Sequence, residues 1–212
     1  MKTILMAVLA VISVVSCGVS TTVPEKPEKP GKIGTAKLSV DGAELYQSKH
    51  CFRCHGMNAK ITVEPNYPKL AGQIQPYLLQ QMKDLKSGAR AHGDAAAMKP
   101  NMSTVNEEQM KAIADWLSSL STTVTLGNMS MEGAKLYQSK ECSDCHGDDA
   151  NDNETEQTPK LAGQNADYLL QQMKDYKSGK RANSRAKRMK KNLSDVNENE
   201  MIAIAEWLST LK

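Results

Sequence analysis

"CFRCH" at residues 51–55 and "CSDCH" at residues 142–146 are one pattern, Cys-x-x-Cys-His, written twice 91 residues apart. The offset holds well beyond the motif. Shifted by 91, residues 42–120 lie on residues 133–211 without a gap, and 47 of the 79 aligned positions are identical. LYQSK, PKLAGQ, YLLQQMKD and KSG recur unchanged. Self-similarity at a fixed offset marks one folding unit duplicated. It divides the chain into domains at 41–120 and 132–212, joined by a short polar connector at 121–131.

Within each unit the periodicity is helical. Asp41 is placed to cap a first helix through Leu45 and Tyr46, and Pro76 to open a second that Gly88 closes. A third begins near Asn106, with Gln109 three residues on; its twin pairs Asn197 with Glu200, the spacing of a capping box. Met110, Ile113, Ala114 and Leu117 then repeat at i, i+3, i+4 and i+7, as do Met201, Ile204, Ala205 and Leu208. No β-hairpin signal interrupts them. The expectation is an all-α protein of two small helical units with long loops, which demand a reason of their own.

Several chemistries compete for Cys51, Cys54 and His55, and for Cys142, Cys145 and His146. Zinc prefers two ligand pairs within one unit, and these pairs fall in separate repeats. A dithiol redox motif calls for a βαβ context, which is missing. A plain disulfide leaves both histidines unexplained. Attachment of c-type haem uses all three residues: two thioethers through the cysteines and an iron ligand from the adjacent histidine. It also answers a deficit in composition. With one Phe, two Trp and six Tyr, the chain lacks the aromatic bulk that usually fills a core. Two covalently held haem c groups would fill it and give the long loops something to wrap.

The N-terminus points outside the cytoplasm. Residues 1–16 run from Met1-Lys2 through an apolar stretch, Ile4 to Val15, and are followed by Cys17-Gly18, the layout of a signal peptide. The stretch is too short for a bilayer, which needs roughly 20 residues. Val14-Val15-Ser16-Cys17 resembles a bacterial lipobox, so Cys17 is expected to carry lipid. Residues 17–40, including PEKPEKPGK, read as a semi-rigid linker. A periplasmic protein tethered through Cys17 is the expectation.

The two CHG sequences, each followed by PKLAGQ and YLLQQMKD and by a capped last helix, make residues 41–212 similar to di-haem class I cytochromes c of the cytochrome c4 family. The resemblance implies two tandem cytochrome c domains, each wrapped around one haem, that shuttle single electrons. It implies that backbone carbonyls of Pro68 and Pro159 steady His55 and His146. It also places a methionine iron ligand in the loop between the second and third helices. Met82/Met173 and Met110/Met201 are duplicated but lie within amphipathic helices; Met57, Met102, Met129 and Met131 lack a methionine twin. Met98 and Met189 are duplicated and fall in that loop. His92, whose twin is Asn183, is the weaker rival in the first unit.

These ligands imply an electron carrier rather than an enzyme, with redox proteins as partners: a quinol-oxidising complex on one side and a terminal oxidase or reductase on the other. No small-molecule substrate is expected. The alternative is a di-haem peroxidase-like enzyme or a haem-based sensor with one open iron site. The run KRANSRAKRMKKN at 180–192 surrounds Met189 with bases. Export and a net charge of only +3 argue against nucleic acid. Lys187, Arg188, Lys190 and Lys191 are expected either to offset nearby acidic charge or to dock an acidic redox partner.

Overall fold

The computed structural model describes residues 40–122, 127–129, 131–152 and 154–211. The signal, the linker and Cys17 lie outside them. The described residues are helical, without strands. The first repeat holds α1 (Gly42–Ser48), α2 (Phe52–His55), α3 (Gln75–Ser87), a 3-10 turn (Gly93–Ala97), α4 (Met98–Ser103) and α5 (Glu107–Ser119). The second holds α6 (Glu132–Ser139), α7 (Ser143–His146), α8 (Ala166–Ser178), α9 (Ala186–Asn192) and α10 (Glu198–Thr210). The three helices expected in each unit are present: α1, α3 and α5, and α6, α8 and α10. The Cys-x-x-Cys-His segments form separate single-turn helices, α2 and α7, and Met98 and Met189, expected in a loop, fall in the short helices α4 and α9.

The caps follow the side chains. Asp41 Oδ1 accepts from the Ala43 and Glu44 amides, and Asn106 with Gln109 and Asn197 with Glu200 form reciprocal capping boxes. Gly88 and Gly179 end α3 and α8 at φ of 84° and 82°, a conformation costly for residues with a Cβ.

In each unit the first helix crosses the last. At the crossing, a Cβ on Gly42 would strike the Ala112 carbonyl, and one on Gly133 the Ala203 carbonyl. Beside it, Tyr46 packs on Trp116 with ring centroids 4.9 Å apart, and Tyr137 on Trp207 at 5.0 Å. The phenol of Tyr46 donates to the Gly56 carbonyl at 2.7 Å and that of Tyr137 to Gly147 at 2.8 Å. The α1–α5 and α6–α10 crossings are thereby tied to the ends of the Cys-x-x-Cys-His helices.

The two repeats meet through side chains related by the 91-residue offset, in the manner of an isologous interface. Gln73 accepts from the Lys160 amide and donates to the Lys160 carbonyl, both at 3.0 Å. Gln164 does the same to Lys69 at 2.9 and 3.0 Å. Deeper in, Arg181 donates to Gln172 of its own repeat (2.7 Å) and across to Gln81 (2.8 Å) and Tyr77 (3.2 Å). Arg90 mirrors it with Gln81, Gln172 and Tyr168 at 3.0, 3.0 and 3.1 Å.

Candidate functional site

Cys51 and Cys142 stand at the N-caps of α2 and α7, and His55 and His146 are the last residues of those helices. Each helix is a single turn, so both cysteines and the histidine are held by one rigid element. Both imidazoles are buried. His55 Nδ1 lies 3.0 Å from the Pro68 carbonyl, and His146 Nδ1 2.9 Å from that of Pro159. A carbonyl only accepts, so the proton sits on Nδ1 and Nε2 keeps its lone pair. Burial holds both histidines below the usual imidazole pKa, only partly opposed by the proline carbonyls. These are neutral, oriented donors. Lys69 and Lys160 follow the two prolines, so Gln164 and Gln73 brace each histidine's support from the opposite repeat.

In the second repeat, where both are raised, the thiols argue against the dithiol reading. Burial pushes Cys51 and Cys142 up to about 11 and raises Cys145 as well. A redox-active pair carries a depressed pKa on its attacking cysteine. The four cysteines of the two motifs are free of disulfides.

All of the sequence-predicted haem-site residues line one cavity of about 470 Å³: Cys51, Cys54, His55, Pro68 and Met98, with Cys142, Cys145, His146, Pro159 and Met189. Its apolar walls include Leu78, Leu85 and Leu117 in the first unit and Leu169, Ile204 and Leu208 in the second. Met98 opens α4 and Met189 lies within α9. Lysines from the preceding long helices hold those segments in place. Lys86 Nζ donates to the Ser103 and Val105 carbonyls at 3.3 and 2.5 Å, and Lys177 Nζ to those of Leu193, Ser194 and Val196 at 2.7–2.9 Å. Two cysteines, an oriented imidazole and a thioether around an apolar cavity suit a covalently held iron porphyrin.

His92 also reaches this cavity, but its Nε2 is 3.2 Å from Asp175 Oδ2 of the other repeat. The contact is out of line for a hydrogen bond, leaving that buried nitrogen without one. The twin contact, Asn183 Nδ2 to Asp84 Oδ2 at 2.6 Å, puts an amide where the first repeat has an imidazole. Burial lowers the His92 pKa, with Asp175 opposing and Arg90, Arg181 and Lys180 assisting. A folded-state value below the unfolded one means that the unfolded chain takes up the proton first. Stability is therefore lost as pH falls below about 6.5. His92→Asn, which copies the second repeat, is expected to flatten that loss; parallel melting-temperature curves for variant and parent between pH 7.5 and 5.5 would refute it.

The basic run is less available than its sequence suggests. Arg188 pairs with Glu154 at 2.8 Å. Lys190 lays its ammonium against Gly179 at the C-terminus of α8, as Lys99 does against Gly88, where a cation is favoured. All four bases, Lys187, Arg188, Lys190 and Lys191, remain exposed. The reading as local charge balance gains from the two contacts of Arg188 and Lys190. Sequence reasoning missed the Arg90–Arg181 cluster. Its signal was present: Tyr77, Gln81 and Arg90 all recur in the second repeat, although a polar helix face ordinarily meets solvent.

The cytochrome c family profile matches residues 39–121 and again 130–212. The chain belongs to the cytochrome c family, in tandem form. Among its relatives is cytochrome c4 of Stutzerimonas stutzeri, 30% identical over 148 residues, covering 63% of this chain and 70% of the relative. A thiosulfate dehydrogenase electron acceptor, also from Stutzerimonas stutzeri, is 27% identical over 192 residues, covering 82% and 87%. The crystal structure of reduced recombinant cytochrome c4 from Pseudomonas stutzeri superposes with a TM-score of 0.68 at 26% identity, covering 82% of this chain and all of that one. Two tandem cytochrome c domains with two haem c groups, in a c4-like electron carrier, follow from these likenesses.

Proposed function

We propose that this cytochrome is a one-electron relay of a respiratory chain, receiving electrons from a quinol-oxidising complex and passing them to a terminal oxidase or reductase. The observation that carries the reading is the shared cavity, into which each repeat brings two cysteines, one carbonyl-braced histidine and one methionine. When bound, each haem supplies a one-electron iron couple. The chain does the rest. Cys51 and Cys54, and Cys142 and Cys145, hold the two groups by thioethers. His55 and His146 each present Nε2, and Met98 and Met189 each present a thioether sulfur, a ligand set that raises the reduction potential and suits electron transfer. The buried leucines of the cavity exclude water and keep the polarity around each site low. We further propose export to the periplasm and a tether at Cys17, supported by the layout of residues 1–40.

The ferric holoprotein is expected to show the weak far-red absorption band of methionine–iron ligation. Met98→Ala and Met189→Ala should each remove about half of it, and the double variant all of it. A parent protein with a high-spin haem that readily binds carbon monoxide would instead support an enzyme or sensor.

A further inference from the structure

The two repeats differ most where each chain segment leaves its Cys-x-x-Cys-His motif. Met57, Ile61 and Val63 occupy the positions that Asp148, Asp152 and Glu154 occupy in the second repeat. They are also the three most exposed of the large hydrophobic side chains that the described surface presents, at 64%, 74% and 62%. Scattered exposed apolar residues need no explanation; three on one short loop do.

This loop is rigidly held. The Val63 amide donates to the Cys54 carbonyl at 3.0 Å, and Thr62 Oγ1 to the Glu64 carbonyl at 2.8 Å. Gly56, at φ 78°, lets the Ile61 carbonyl pass where a Cβ would block it. From the other repeat, Asn165 Nδ2 donates to Thr62 Oγ1 and to the Tyr67 carbonyl at 2.8 and 2.7 Å. Ile61 and Val63 line a shallow groove together with Lys60 and Lys69. Cys54, to which the loop is bonded, is itself exposed, with Arg53 exposed beside it. An apolar surface already ordered loses little entropy on docking.

We propose that Met57, Ile61 and Val63 form the docking face for a redox protein whose own contact surface is apolar at its centre and acidic at its rim. The proposal rests on the electron-carrier reading. Lys60 and Arg53, both exposed beside the apolar residues, select the acidic rim. The same loop of the second repeat carries Asp144, Asp148, Asp149, Asp152, Glu154 and Glu156 with no lysine or arginine, so it repels that partner. One partner therefore meets the first repeat only, and the near-duplicate halves are told apart by a single loop.

The test uses the holoprotein and, as probe, an acidic blue-copper protein with an apolar copper-site face. Electron exchange is followed by stopped flow, and binding by the methyl resonances of Met57, Ile61 and Val63. Grafting the second repeat's residues, Met57→Asp with Ile61→Asp and Val63→Glu, should slow exchange by about tenfold or more. An uncharged graft, Met57→Gln with Ile61→Thr and Val63→Thr, should fall between. Neutralising Lys187 and Lys191 should change the rate less than about twofold. An unaltered rate in the charged graft overturns the proposal. So does self-association, or binding to phosphatidylcholine vesicles, that the graft removes, since a second copy or a lipid surface would then be the occupant. Failure to exchange electrons with ferricyanide would instead sink the carrier reading.

Discussion

Gly133→Ala is expected to lower the unfolding temperature of this cytochrome by about 6–12 °C, and Gly42→Ala to act in the same direction. Elsewhere in a helix, alanine for glycine is a gain of about 0.5–1 kcal/mol, because the unfolded chain loses freedom. Here the added methyl would meet the Ala203 carbonyl and the Cβ of Trp207, so α6 would have to move off α10. Overpacking costs about 1–3 kcal/mol when side chains can yield, and a backbone carbonyl yields least. A net loss of about 3 kcal/mol corresponds to the stated temperature shift in a domain pair of this size. The displacement also loosens the Tyr137–Trp207 contact and the hydrogen bond from Tyr137 to Gly147, directly behind His146. Thermal unfolding by far-ultraviolet circular dichroism decides the matter: an unchanged or raised midpoint would show that the crossing is loose.

Arg181→Met carries the second large effect, a destabilisation of about 2–4 kcal/mol. Arg181 is almost fully buried, bonds four acceptors on two repeats and lies over the Tyr176 ring at 4.4 Å. A hydrogen bond from a charged donor is worth about 1.5–3 kcal/mol, yet removing the guanidinium also relieves the burial of a charge. Arg90 still reaches both Gln81 and Gln172, which further limits the loss. The double variant with Arg90→Met should therefore lose about 0.5–3 kcal/mol more than the two single losses added, because Gln172 then loses both guanidinium donors and Gln81 keeps only the Asn183 amide. With the interface weakened, the repeats should cease to melt together. Calorimetry should show one transition in the parent and two in Arg181→Met; a single transition at the parental temperature would mean that the cluster holds nothing.

The duplicated motif, the helical periodicity and the caps were legible in the sequence because each depends on residues near one another in the chain. A five-residue pattern needs only one turn of helix to bring its cysteines and histidine together, and capping residues act on amides two or three positions away. The candidate methionines were legible for another reason: duplication is a filter, and only Met98 and Met189 passed it outside a long helix. By itself, then, the sequence determined an all-helical tandem cytochrome with two haem groups and named candidate residues to hold them. The tertiary structure decided what depends on contacts across about 90 residues. It made Gln73, Gln81, Arg90 and their twins, polar residues on or beside α3 and α8, into a buried interface, because opposing copies satisfy one another's donors and acceptors. It drew Arg188 and Lys190 out of a uniform basic run by placing Glu154 and the end of α8 within reach. And it left Met57, Ile61 and Val63 in water, since the loop's backbone is pinned to Cys54 and Asn165 in a way that turns those side chains outward.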